Sequence, residues 1–148
     1  MQVARWLHVL GVVVWVGGMF FAHMALRPAA QALPPPQRLP LLAATLSRFV
    51  AWAGLAILMV VGSGVALIGL AGGMGAVGAA VHAMTGLGLA MTAIYAWLVA
   101  RPLPQLRAAV AAAHWQEAGA AMAGVRRLVG VNLVLGLVTL TLAMLGRG

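Results

Sequence analysis

The run FVAWAGLAILMVVGSGVALIGL, from Phe49 to Leu70, decides the fold class. It contains no charge and no proline, and it exceeds the roughly 20 apolar residues that a helix needs to cross a bilayer. Three further stretches read the same way: about Arg5 to Leu26, about Gly78 to Ala100 and about Leu128 to Leu145. None has an internal proline, and each contains glycine, which membrane helices use for close packing. The pattern predicts an all-α integral membrane protein, a four-helix up-down bundle forming one membrane domain over residues 1–148.

Composition supports this from the other side. Of 148 residues, 64% are hydrophobic and only 7% are charged, against about 25% charged in a soluble domain. Nine arginines and one acid cannot cover a water-facing surface, so the main partner of this surface is the lipid bilayer. The N-terminal apolar run is too long for a signal-peptide core, and three more spans follow it; it reads as the first membrane helix. The net charge of +8 does not imply a nucleic-acid partner, because the arginines lie at the ends of apolar runs rather than along one polar face. The absence of cysteine excludes disulfides, thiolate metal sites and cysteine nucleophiles.

The three connections differ. Arg27 to Arg48 holds five prolines, Pro28, Pro34, Pro35, Pro36 and Pro40, and is expected to be extended in part, with polyproline character. Leu41 to Arg48 would begin the second helix early. Ala71 to Val77 is short, glycine-rich and uncharged. Arg101 to Arg127 is long and alanine-rich, and predicts an extra cytoplasmic or interfacial helix between spans three and four, from about Gln105 to Ala123. The first and third connections, with their flanks, hold seven arginines; Arg5 and Arg147 stand alone near the ends. By the positive-inside rule both long connections face the cytoplasm and both termini face outward.

Polar groups within a bilayer are costly, which makes each one a functional hypothesis. His8 and His82 are the most informative. They lie near the starts of spans one and three, which run in the same direction, so they fall at nearly the same depth near the outer face. Those spans sit diagonally in an up-down bundle, a gap suited to a metal ion or a haem plate held by two imidazoles. Gly11 and Trp15 share the face of His8, and Gly86 shares the face of His82. Gly11 and Gly86 are expected to leave room for a flat cofactor one turn below each histidine. The plainer reading has each histidine bonding a backbone carbonyl or interfacial water.

His23 falls at the inner surface, where an interfacial role is the simpler one. His114 and Glu117, three residues apart, read as a solvated helix face that could also pair. Met1, Met74 and Met144 share the outer end with the two histidines, and thioether with imidazole suits Cu(I); methionine is also a common gap-filler. Gly54, Gly62, Ser63 and Gly64 read as close-packing positions, Asn132 as a cross-helix bond near the inner surface, and most tryptophans as interfacial anchors. No hydrolase, kinase or dinucleotide motif is present, and the lone acid lies outside the spans, which disfavours an enzyme.

The opening span, Trp6-Leu7-His8-Val9-Leu10-Gly11 running on through Trp15 to Phe21, resembles the start of the bacterial copper-resistance D (CopD) family. Arg126-Arg127-Leu128-Val129 with Asn132 to Gly136 resembles that family's last span. The resemblance implies copper handling in the bacterial inner (cytoplasmic) membrane by a short, single-module form, with His8 and His82 most like metal ligands. A more distant resemblance is to the HemJ-type protoporphyrinogen oxidases, four-helix proteins that bind haem b, through His8, Gly11 and Trp15. Met84 stands where that family carries lysine, and the acid of its fourth span is missing here; both departures argue against that activity, though not against haem. Three readings follow: copper transport or tolerance, with a copper ion at His8 and His82; a haem-b redox protein; or a non-catalytic packing partner in the membrane. A bundle this thin also suggests a homodimer for transport.

Overall fold

The computed structural model describes residues 1–146; Arg147, counted above among the terminal charges, lies outside them. Helix α1 runs over Gln2–Phe21, passes through a π turn at Ala22–Leu26, and ends in the short α2, Arg27–Ala30. Helix α3 is Pro35–Leu70, α4 Ala79–Ala100, α5 Pro102–Ala111 and α6 Trp115–Leu145. Four of these segments are long and apolar enough to cross a membrane. The all-α membrane bundle is therefore present, with α5 as its extra helix between the third and fourth spans.

The proline-rich connection is more helical than its composition predicts. Only Pro34 is extended, at φ −65° and ψ 155°. Pro35 and Pro36 occupy the first two positions of α3, where a missing N–H costs nothing and the fixed φ is already helical. The Pro34 carbonyl accepts from Gln37 and Arg38 at 3.0 and 2.9 Å. Pro40 then sits inside the helix, near enough to its start to be carried without a break. So α3 begins well before Leu41.

The extra helix also differs from expectation. Instead of one helix over Gln105–Ala123, the chain breaks at Ala112–His114. Ala113 takes φ 55° there, a left-handed conformation that costs an L-residue roughly 1–2 kcal/mol. Burial offsets that cost: Leu103 and Leu106 of α5 pack against Ala118 and Val125 of α6 in the bundle's core cluster. The turn between α3 and α4 needs glycine, because Gly72 and Gly73 have φ 101° and 90°.

Packing is pairwise. Helix α1 lies along α3 and α4 along α6, while α3 barely touches α4, and α1 and α4 sit across the bundle from each other. Gly11 and Gly18 let α1 approach α3; a Cβ at Gly18 would overlap the Phe49 ring. Gly136 of α6 meets both Val16 of α1 and Met91 of α4, tying the pairs together. The core is small and aliphatic, with Ala53, Ala56 and Ala118 almost fully covered. Large apolar side chains such as Phe20, Leu58, Val65 and Leu89 point outward instead, as lipid-facing surfaces do.

Candidate functional site

His8 stands in the second turn of α1, half-buried against α3. Its Nδ1 lies 3.0 Å from Ser63 Oγ. Ser63 is buried, and its hydroxyl also meets the backbone carbonyls of Met59 and Val60. A hydroxyl has one proton and those carbonyls can only accept, so Oγ donates to the backbone and accepts from Nδ1–H. The tautomer follows: the His8 Nε2 carries the free lone pair. Gly64 makes the space, its missing Cβ position lying 3.4 Å from the His8 Cε1.

His82 lies in the first turn of α4 and is exposed. Its Nδ1 donates to the Gly78 carbonyl at 3.1 Å, so in the neutral ring the lone pair again lies on Nε2. The two rings rest on different helices and are not brought together, but they share a depth. Taking the level of Gly136, where Val16 and Met91 meet, His8 lies about 12 Å and His82 about 13.5 Å further along their helices, at ~1.5 Å per residue.

The room expected beside the histidines is only partly there. A Cβ at Gly11 would lie 2.8 Å from Val60 Cγ2 and 2.9 Å from the Ala56 carbonyl, so α3 fills that side and no flat ring fits. Gly11 is a helix-contact residue, and the expected cofactor space below His8 is corrected accordingly. Trp15 is 3% exposed and packs in the core rather than on an open site. Gly86 does face open space. Among the described residues, no group of three or more histidine, cysteine or acidic side chains could hold a metal.

The model of the family described as copper resistance protein D matches residues 43–145. The chain belongs to this copper resistance protein D family. It is a membrane protein related to copper resistance. No curated protein and no solved structure matches it. The segment matched to copper resistance protein D contains Ser63 and His82; His8 lies before it.

Within this family member the remaining polar residues divide clearly. His114 and Glu117 pair at 3.6 Å on the exposed start of α6. Gly54 accommodates Tyr95, whose hydroxyl donates to the Val50 carbonyl at 2.9 Å, whereas Gly62 faces open space. Trp6, Trp52 and Trp97 are exposed, and Arg101 stacks 5.8 Å over the Trp97 ring. Ser63 is the residue that sequence reasoning missed as a site member. The sequence carried no signal for it: the antiparallel register that sets Gly11 against Val60, and with it His8 against Ser63, shows only in the packed helices.

Asn132 does not make the cross-helix bond expected of it. It is 4% exposed, and its Oδ1 has no partner among the described residues. It lines an interior gap of about 20 Å³ with Trp15, Met19 and Tyr95. An unsatisfied buried acceptor costs about 1–3 kcal/mol, and an apolar residue of similar shape removes that cost. Asn132→Leu is expected to raise the thermal midpoint of the detergent-solubilised protein. A lowered midpoint would mean that the amide has a partner.

Proposed function

We propose that the protein takes copper as cargo at the end of the bundle that carries its termini, with His8 and His82 as first ligands, in copper transport or tolerance. One observation carries the reading. Two histidines at matching depth each commit Nδ1–H to the protein and keep Nε2 free. Orientation of an imidazole through its second nitrogen is how metal-binding histidines are usually held. Membership of the copper resistance protein D family supports the choice of metal. Imidazole and thioether suit Cu(I), and Met1, Met74 and Met144 are exposed at the same end.

The His82 ring must swing inward to share an ion with His8. It is exposed, and the swing gives up its one bond, to the Gly78 carbonyl, so on the bound ion only His8 keeps its orienting partner. The arginine-rich end, with Arg27, Arg38, Arg48, Arg101, Arg107, Arg126 and Arg127, faces the cytoplasm of a bacterial inner membrane in this reading. The histidine end then faces outward.

An anaerobic titration of the purified protein tests this, with a chromophoric Cu(I) chelator as competitor. The chain is expected to withdraw one Cu(I) and to be colourless before copper is added. Failure to compete would end the copper reading. A Soret band retained through purification would replace it with a haem reading.

A further inference from the structure

The α4–α6 pair holds a second feature at its arginine-rich end. The register of the pair is fixed at three points. A Cβ at Gly146 would meet Ala80, one at Gly136 would meet Met91, and one at Gly124 would lie 4.0 Å from the Pro102 Cβ. Arg101, at the end of α4, and Arg127 of α6 therefore fall at nearly one depth. Counted from Met91 and Gly136 they lie about 15 and 13.5 Å along their helices, at ~1.5 Å per residue. Half of a hydrocarbon core is roughly 15 Å, so a bilayer centred near Gly136 sets both at the headgroup boundary.

Both side chains face the lipid. Tyr95 points into the bundle, where its hydroxyl donates to the Val50 carbonyl of α3. Trp97, about 200° further round α4, points out and is 57% exposed. Arg101 follows one turn later, and its guanidinium stands 5.8 Å over the Trp97 ring. On α6, Gly136 faces the interior, where it meets Val16 and Met91. Arg127 is about two and a half turns away, so it faces the opposite side, and it is exposed. The protein offers the two arginines no counter-charge, since its sole acidic side chain, Glu117, pairs with His114.

We propose that Arg101 and Arg127 hold the phosphate of one anionic phospholipid between them, on the lipid-facing side of the α4–α6 pair, with its acyl chains along Ala93 and Leu89. Those two residues continue the exposed face of α4 beyond Trp97. Packed helices stand ~8–10 Å apart, a gap that two arginine side chains close from either side. Guanidinium groups bind phosphate oxygens through paired, charge-assisted hydrogen bonds. The Trp97 ring already holds one of the two forks in place, which lowers the cost of ordering it. A tryptophan at this depth is itself a headgroup-level anchor. A zwitterionic lipid carries its own cation beside the phosphate and so leaves the arginine charge unmet. The assignment stands independently of the copper reading and of which way the bundle points.

Native mass spectrometry of the whole protein in mild detergent, titrated with phosphatidylglycerol and phosphatidylcholine, tests it. The wild type is expected to retain one phosphatidylglycerol and to release phosphatidylcholine. Arg101→Gln with Arg127→Gln should weaken retention roughly thirtyfold, if each arginine contributes what a basic residue does at an anionic surface. Arg48→Gln with Arg107→Gln removes two exposed charges from the same end, on α3 and α5, and should leave retention unchanged. Equal loss in that control pair would reduce the effect to diffuse charge and overturn the site. Equal retention of phosphatidylcholine, or phosphatidylglycerol still held by the Arg101 and Arg127 double variant, would overturn it too. Far-ultraviolet circular dichroism checks that each variant is folded; should the double variant not be, the single substitutions are read in its place.

Discussion

His8→Ala is expected to abolish competition for Cu(I) while leaving the bundle folded. The imidazole is the half-buried member of the proposed pair, and its Nε2 is the lone pair on offer. Its loss leaves no polar orphan behind, since the Ser63 hydroxyl keeps its bonds to the Met59 and Val60 carbonyls. The folding cost is then one hydrogen bond, about 1 kcal/mol, plus the packing of the ring. Ser63→Ala makes the finer test. It keeps the imidazole but frees Nδ1, and removing such an orienting partner typically costs about 10–100-fold in metal affinity. His82→Ala should weaken binding as strongly as His8→Ala if the two share one ion. Unchanged affinity in both histidine variants, with helical content intact, would remove the pair from the function.

Gly11→Leu should break the α1–α3 pair. A Cβ alone at this position meets Val60 and, more seriously, the backbone carbonyl of Ala56, which cannot rotate away. Overpacking in a fitted core costs typically 1–3 kcal/mol, and a whole leucine at a backbone contact belongs at or above the top of that range. The His8–Ser63 bond lies one turn away, so copper binding should fall with stability. Gly17→Leu is the matched control: the same helix, the same residues exchanged, and nothing within 4 Å of the added Cβ. It should melt within a few degrees of the wild type. If the two variants melt alike, α1 does not seat on α3 through Gly11.

These variants also mark where the sequence was legible. The spans were, because uncharged runs such as Phe49 to Leu70 have no other stable setting than lipid. The gathering of arginines at one end was legible for the same reason. The faces of the helices were not. In a soluble bundle the polar stripe shows which side faces out, but here lipid covers the outside and apolar residues surround each helix. Gly11 was therefore read as open space beside His8, although it is the point where α3 presses in. Gly86 carried the same reading and does face open space. The break at Ala113 was hidden as well, since no glycine or proline marks it and burial of Leu106 outweighs local preference. Asn132 was given a partner on general grounds, and among the described residues its Oδ1 has none.

The pairwise packing has a consequence for how the chain is made. Helix α1 finds α3, and α4 finds α6, each a near neighbour in the chain, while α3 and α4 owe each other little. Each hairpin is thus a nearly finished object once its second helix has left the ribosome, and the first need not wait for the second. Contacts between segments close in sequence form early and at low entropic cost. The late step is the joining of two preformed halves, where Gly136 of α6, already packed on Met91 of its own half, receives Val16 from the other. A side chain at Gly136 would then disturb its own half at Met91 as well as the union with the other at Val16.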